Sequence, residues 1–220
     1  MTGGERLERR PVVALFVDVA GFTSMVETQD PEDVRDRMTE AFTRIKEIVT
    51  ARGGVIEKYI GDAALALFGA RRAHRDDVDR AVQAAWDISL ALGSFAPPLP
   101  VRAGVELGEL LVDLARLETA RDLMVVGDAV NVAARLQQLA EPGQIMIGPE
   151  AAKLTSATLA PAALHELKGK ALPLSAAAVI AQPPAVGPPH RVPLVGREAE
   201  LRALDVALHQ AAAEGRPRVV

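Results

Sequence analysis

The chain has no cysteine, which excludes a disulfide framework, a thiolate metal site and a thiol nucleophile. Aromatic residues make up only 3% of it, so the core must be built from Val, Leu, Ile and Ala. No dense Lys/Arg run occurs and the formal net charge is −4, which speaks against a nucleic-acid surface. No stretch approaches the roughly 18 consecutive apolar residues of a membrane span. The first residues, MTGGERLERRP, lack the apolar segment of a secretory leader, and no internal repeat is evident. The expectation is a soluble, cytoplasmic protein. Its 220 residues suffice for one good-sized domain, or one domain with the opening of a second.

What the chain does have is organised around VIEKYIGDAALALF, residues 55–68. This reads as two apolar strands folded back across Ile60-Gly61-Asp62, with Lys58 on the way in. Upstream, residues 1–10 read as a polar tail, and Pro11 leads into a buried strand, VVALFVDV, that exits at Asp18. A carboxylate there needs a partner; turn amides or a metal ion would serve. Asp30-Pro31-Glu32-Asp33 is a helix start, followed by Val34, Met38, Phe42, Ile45 and Val49 at helical spacing, and Gly53-Gly54 ends that helix. A second amphipathic helix carries Val78, Ala81, Val82, Ala85, Trp86 and Leu90 as its buried stripe.

The segment VRAGVELGELLVDLA predicts a strand or strand pair, and Leu123 to Val126 a short strand. Asp128 can cap a helix that Pro142-Gly143 ends. Asn131, Arg135 and Gln138 share one face of it, as a solvated surface or as working residues. QIMIG is a strand, and Leu164 to Ile180 a closing pair around Lys168-Gly169-Lys170. The segment 181–193 holds five prolines and reads as an extended linker; residues 194–220 open a helix and read as the start of a second domain. The order β-α-β-β-α-β with a further helix and strands predicts a ferredoxin-like α+β fold over residues 11–180.

FVDVAGFTS, EKYIGDA, VRAGVELGE and VVGDAVNVAARL, in this order and spacing, resemble the class III adenylyl/guanylyl cyclase catalytic domain. The resemblance implies metal-dependent cyclisation of a nucleoside triphosphate, ATP before GTP, with release of pyrophosphate. It implies Asp18 and Asp62 as ligands of two divalent ions, Mg²⁺ or Mn²⁺, and Gly21, Phe22 and Thr23 as a turn receiving the phosphates. Asn131 would orient the ribose and Arg135 would stabilise charge on the α-phosphate, while Lys58 would contact the base. It also implies a homodimer with shared sites: Asp18 and Asp62 from one chain, Lys58, Asn131 and Arg135 from the other.

The sequence departs from the family pattern in three places. Met124 stands where a polar base-reading partner of Lys58 is usual. The strand often reading G-I-H-T-G is Gly104-Val105-Glu106-Leu107-Gly108. The glycine-rich hairpin after it has become Asp113-Leu114-Ala115-Arg116. These departures keep a second reading open, a cyclase-like domain that binds nucleotide or dimerises to regulate an attached ATPase. LVGREAELRAL resembles the lead-in to the ATPase module of large bacterial regulators, and the expectation is an N-terminal fragment from which that module is missing. A third reading, a diguanylate cyclase, is disfavoured, because Ile60-Gly61-Asp62-Ala63-Ala64 lacks the second acid its hairpin needs.

Overall fold

The computed structural model describes residues 7–113, 125–166 and 173–185. Met124, the Lys168-Gly169-Lys170 turn, most of the Asp113 to Arg116 hairpin and the segment 194–220 lie outside the described residues. The chain divides into two units, Met1–Pro188 and Pro189–Val220.

Within the first unit, β1 (Leu7–Val19) is followed by α1 (Phe22–Thr28), α2 (Pro31–Ala51), β2 (Val55–Ile60), β3 (Ala63–Phe68) and α3 (Asp77–Gly93). Then come β4 (Val101–Asp113), β5 (Val125–Val126), α4 (Asp128–Leu139), β6 (Ile145–Ile147) and α5 (Pro149–Ala152). Strands β7 (Thr158–Leu159), β8 (Ala163–His165) and β9 (Leu174–Ala181) close the unit. The sheet runs β2-β3-β1-β4-β6-β9-β7, with β5 beside β4 and β8 beside β9. Its first four strands are antiparallel neighbours in the order 2-3-1-4, the ferredoxin-like α+β arrangement that the sequence predicts.

Strand alternation divides β1 between two layers. Val13, Leu15, Val17 and Val19 pack under α2 and α3. Val12, Ala14 and Phe16 face the other way, against Ala129 and Ala133 of α4. Strands β3 and β4 alternate likewise: Ala64, Ala66, Val101, Ala103 and Val105 join the first layer, and Leu65, Leu67, Leu110 and Val112 the second. Because both faces are covered, these strands read as continuous apolar runs. Helix α2 begins as predicted, with the Asp30 side chain accepting the Glu32 N–H at 2.9 Å and Pro31 in the first turn, a cap worth about 1 kcal/mol.

Several boundaries move. β1 starts at Leu7, inside the segment read as a polar tail, because residues 7–10 pair with Leu110 to Asp113 of β4. β4 is one strand of 13 residues, not a strand pair. Leu90 is 64% exposed and leaves the predicted stripe of α3; Ile88 and Leu92 are buried in its place. Asp128 is the first residue of α4, with Gly127 as its cap. The first prolines of the linker are fastened to α3: Gln83 Nε2 donates to the carbonyl of Pro184 at 2.7 Å, and its Oε1 accepts from Arg52 at 2.7 Å.

The depth of α4 is set by two glycines of β4. A Cβ at Gly104 would lie 2.1 Å from the Ala133 carbonyl oxygen and 2.5 Å from the Gln137 nitrogen, and one at Gly108 would lie 2.8 Å from Ala129 Cβ. Helix backbone therefore rests directly on strand backbone, a contact no larger residue permits.

Candidate active site

β1 delivers Asp18 to the end of the sheet on the α4 side, by the same alternation that places Val12, Ala14 and Phe16 there. Asp62 arrives from the β2–β3 turn. Gly61 makes that turn with φ 63, a left-handed conformation that suits glycine, and the Val19 N–H donates to the Asp62 carbonyl at 3.2 Å. The turn is thus pinned to the exit of β1 and the two acids stand together. Burial pushes the Asp18 carboxyl above its usual range, the Asp62 carboxylate beside it pushes it further, and the Arg102 guanidinium pulls it back.

Two side chains unforeseen in the sequence complete this corner. Arg102 Nη2 and Gln137 Nε2 each donate to Asp18 Oδ2 at 2.9 Å. Arg102 lies directly across from Asp18 in the β1–β4 register, and Gln137 reaches down from the buried side of α4. A sequence signal existed for Gln137, a polar residue at helical spacing from Ala129 and Ala133. Arg102 stands between Val101 and Ala103 on a buried strand, but only the register says that it meets Asp18.

Beyond Asp18 the chain turns through Gly21, whose φ of 83 opens α1. The N–H groups of Val19 and Ala20 are used within the protein, Ala20 on the Pro100 carbonyl at 2.8 Å. The Phe22 ring packs against the main core, while Gly21 and Thr23 are exposed. This turn therefore offers the first amides of α1 rather than side chains, and nothing stands within 4 Å of where a Gly21 Cβ would be.

Lys58 is aimed by an irregularity. Between Ile56 and Lys58 the β2–β3 register shifts, leaving Glu57 as the extra residue and Lys58 opposite Leu65. Leu65 belongs to the α4-side layer, so the bulge re-aims Lys58 to that face. Its ammonium lies 3.4 Å from the carboxylate of buried Glu57.

Asn131 is exposed and Arg135 half-buried; Arg135 donates to Gln138 at 3.0 Å. Arg135 stands about 200° around α4 from Gln137. Asp18 and Asp62 are therefore brought together in one chain, whereas Arg135 points away from them. Among the described residues no group of three or more metal-ligating side chains gathers. Two adjacent carboxylates still fit a hard divalent cation that takes its other oxygens from phosphate and water.

Glu106, where the family strand often has histidine, is no part of this corner. It is buried, and its Oε1 accepts the Leu107 N–H at 2.7 Å and the Ala151 N–H at 3.0 Å. Burial pushes its carboxyl up to about 6.

Residues 6–173 match the sequence model of the adenylate and guanylate cyclase catalytic domain. The chain is 30% identical over 151 residues to the uncharacterized protein Rv1318c of Mycobacterium tuberculosis, an alignment covering 68% of this chain and 28% of that protein. It thus spans under a third of that relative's length. Among solved structures it is similar to the guanylyl cyclase Cya2, with a TM-score of 0.71 and 29% identity over 84% of this chain and 96% of that one. It is also similar to the guanylate cyclase domain of RhGC from Catenaria anguillulae in complex with GTP, with a TM-score of 0.72 and 25% identity over 80% of this chain and 99% of that one.

Proposed function

This chain belongs to the adenylate and guanylate cyclase catalytic domain family, and from that premise we propose that it cyclises a nucleoside triphosphate to the 3′,5′-cyclic monophosphate. It acts on ATP before GTP, as a homodimer whose two sites each draw on both protomers. The observation that carries the reading is the carboxylate pair. Two acids, one of them buried, are held side by side although like charges raise the cost of ionising both. A divalent cation turns that cost into binding.

In the reaction the ribose 3′-oxygen bonds to the α-phosphorus, the bond from that phosphorus to the bridging oxygen breaks, and pyrophosphate leaves. The hydroxyl proton passes to water or to the leaving group. Asp18 and Asp62 would hold two divalent ions, Mg²⁺ or Mn²⁺, which would supply the acidity of the hydroxyl and offset phosphate charge. The first amides of α1, after Gly21, receive phosphate oxygens. Asn131 and Arg135 come from the other protomer, since their face of α4 points away from the acids of their own chain. Asn131 orients the ribose, and the Arg135 guanidinium meets the charge growing on the α-phosphate. Lys58 has only donors to offer, which suits the N1 acceptor of adenine better than the N1–H of guanine. A methionine at position 124, where the family usually carries a polar partner for Lys58, would offer shape and no strong hydrogen bond to the base.

No helix among the described residues is long and apolar enough to cross a membrane, and a water-soluble triphosphate as substrate supports a cytoplasmic role. Residues 194–220 are assigned as the opening of an ATPase-like module on the strength of LVGREAELRAL.

The test is cyclic nucleotide formation by the full chain with ATP and with GTP, in Mg²⁺ and in Mn²⁺, over a range of protein concentrations. Product from ATP, at a specific rate that rises with concentration and vanishes on metal chelation, is expected. No product in any condition from folded, dimeric protein overturns the reading in favour of a regulatory cyclase-like domain.

A further inference from the structure

The grip on Asp18 is one-sided. Arg102 and Gln137 approach from different elements, β4 and α4, yet both bonds end on Oδ2. Neither bond reaches Oδ1, and the Asp62 carboxyl stands within hydrogen-bond reach of the Asp18 carboxyl. Gln137 is only 6% exposed, so its amide has little freedom to be elsewhere. Its position is fixed in turn by Gly104, where a Cβ would lie 2.5 Å from the Gln137 nitrogen. Arg102 keeps a buried Nε–H without a partner among the described residues, a cost that a residue serving packing alone has no reason to carry.

The chemistry of the two donors is also suited to a cation site. Arg102 offsets one of the two negative charges, so the acids can stand together before a cation arrives. Gln137 adds a donor without adding charge, so a net attraction for a divalent ion remains. An aspartate free to change rotamer would lose that freedom on binding; one already gripped has lost it on folding.

We propose that Gln137 and Arg102 are positioning residues which, by holding Oδ2, fix the Asp18 side chain and present Oδ1 to the divalent cation. This rests on the cyclase reading of the Asp18–Asp62 pair. Partners of this kind behind a metal ligand are commonly worth 10- to 100-fold in metal affinity.

The experiment is a Mn²⁺ titration of the full chain, followed by electron paramagnetic resonance, with 3′-deoxy-ATP present so that nothing can cyclise. Thermal midpoints are measured on the same samples. Gln137→Met keeps the length and apolar body of the side chain and removes its donor; Arg102→Lys keeps the charge with fewer donors; Asp62→Ala is the control. Gln137→Met is expected to weaken Mn²⁺ binding about tenfold, and Arg102→Lys less, in protein that stays folded. In turnover assays the half-saturating Mn²⁺ concentration should rise more than the rate at saturating Mn²⁺ falls. Unchanged Mn²⁺ affinity per folded molecule, with only the thermal midpoint lowered, makes the grip structural and overturns the inference. Should Gln137→Met fail to fold, unchanged affinity in Arg102→Lys overturns it equally. If Asp62→Ala weakens Mn²⁺ binding and the other two do not, this inference alone fails. If Asp62→Ala has no effect either, the metal reading of the acid pair fails, and the inference with it.

Discussion

Asp18 and Glu106 make an instructive pair. Both are buried carboxylates on neighbouring strands of one sheet, both face the α4 side, and burial raises the pKa of both. Their surroundings differ in kind. Asp18 is held by two side chains, with a second acid beside it. Glu106 is held by two backbone N–H groups, with its other oxygen against Gly148, where a Cβ would lie 2.0 Å away. At one site two side-chain donors converge on a single oxygen with a second acid alongside; the other is a closed cap on the turn into α5. A buried acid with a raised pKa is thus no sign of function by itself. What distinguishes the two is which oxygens are used and what stands next to them.

The sharpest way to break this comparison is to remove charge at each place. Asp62→Ala should lower turnover on the order of a thousandfold or more, since a metal position is lost, and should leave the fold intact. Glu106→Gln should keep most activity. Cyclase assays beside circular dichroism decide it, and normal turnover in Asp62→Ala would sink the metal assignment.

The division of labour between the two faces of α4 is tested by mixing. Asp62→Ala and Arg135→Ala proteins, each inactive alone, should regain about a quarter of wild-type activity when combined in equal amounts. Half the dimers are then mixed, and each mixed dimer keeps one complete site of its two. No recovery, with mixed dimers demonstrated, would count against shared sites.

Gly104 lies between Arg102 and Glu106 on the same face of β4. Gly104→Ala would force α4 outward and should cost about 3 kcal/mol, read as a lowered urea midpoint. It should also loosen Gln137 from Asp18 while leaving the Glu106 to Ala151 contact in place.

The smallest effect concerns Glu106 and pH. Its folded pKa of about 6 lies above the ordinary value of 4.5, so the folded state binds the proton more tightly than the unfolded chain. Its contribution is therefore fully present below about 4.5 and is lost as pH rises through about 6, a change of about 2 kcal/mol. Urea unfolding across that window should show wild-type protein losing stability relative to Glu106→Gln as pH rises. Parallel curves would mean that Glu106 is not held in this way.

Much of this was legible beforehand because it rests on local chemistry. Asp30-Pro31 announced α2 through capping, unbroken apolar runs announced β1 and β3, and Gly61-Asp62 announced the turn. The failures share a cause. Leu90 fits a helical stripe, yet α3 turns its Ile88 and Leu92 side to the sheet. Residues 7–10 are polar, yet β4 is long enough to pair with them. Gln138 shares a face with Arg135, while Gln137, one residue away, is the one that reaches an acid.

Periodicity, turn chemistry and spacing along the chain set the strand and helix order, the family, and the acids at the ends of β1 and of the β2 hairpin arm. Folding alone puts Arg102 opposite Asp18, turns Lys58 to the α4 face through the bulge at Glu57, and closes Gln137 on Oδ2. Those facts depend on register and on how near a helix can lie to a strand. Both are set by contacts between segments far apart in the chain, down to the missing Cβ of Gly104.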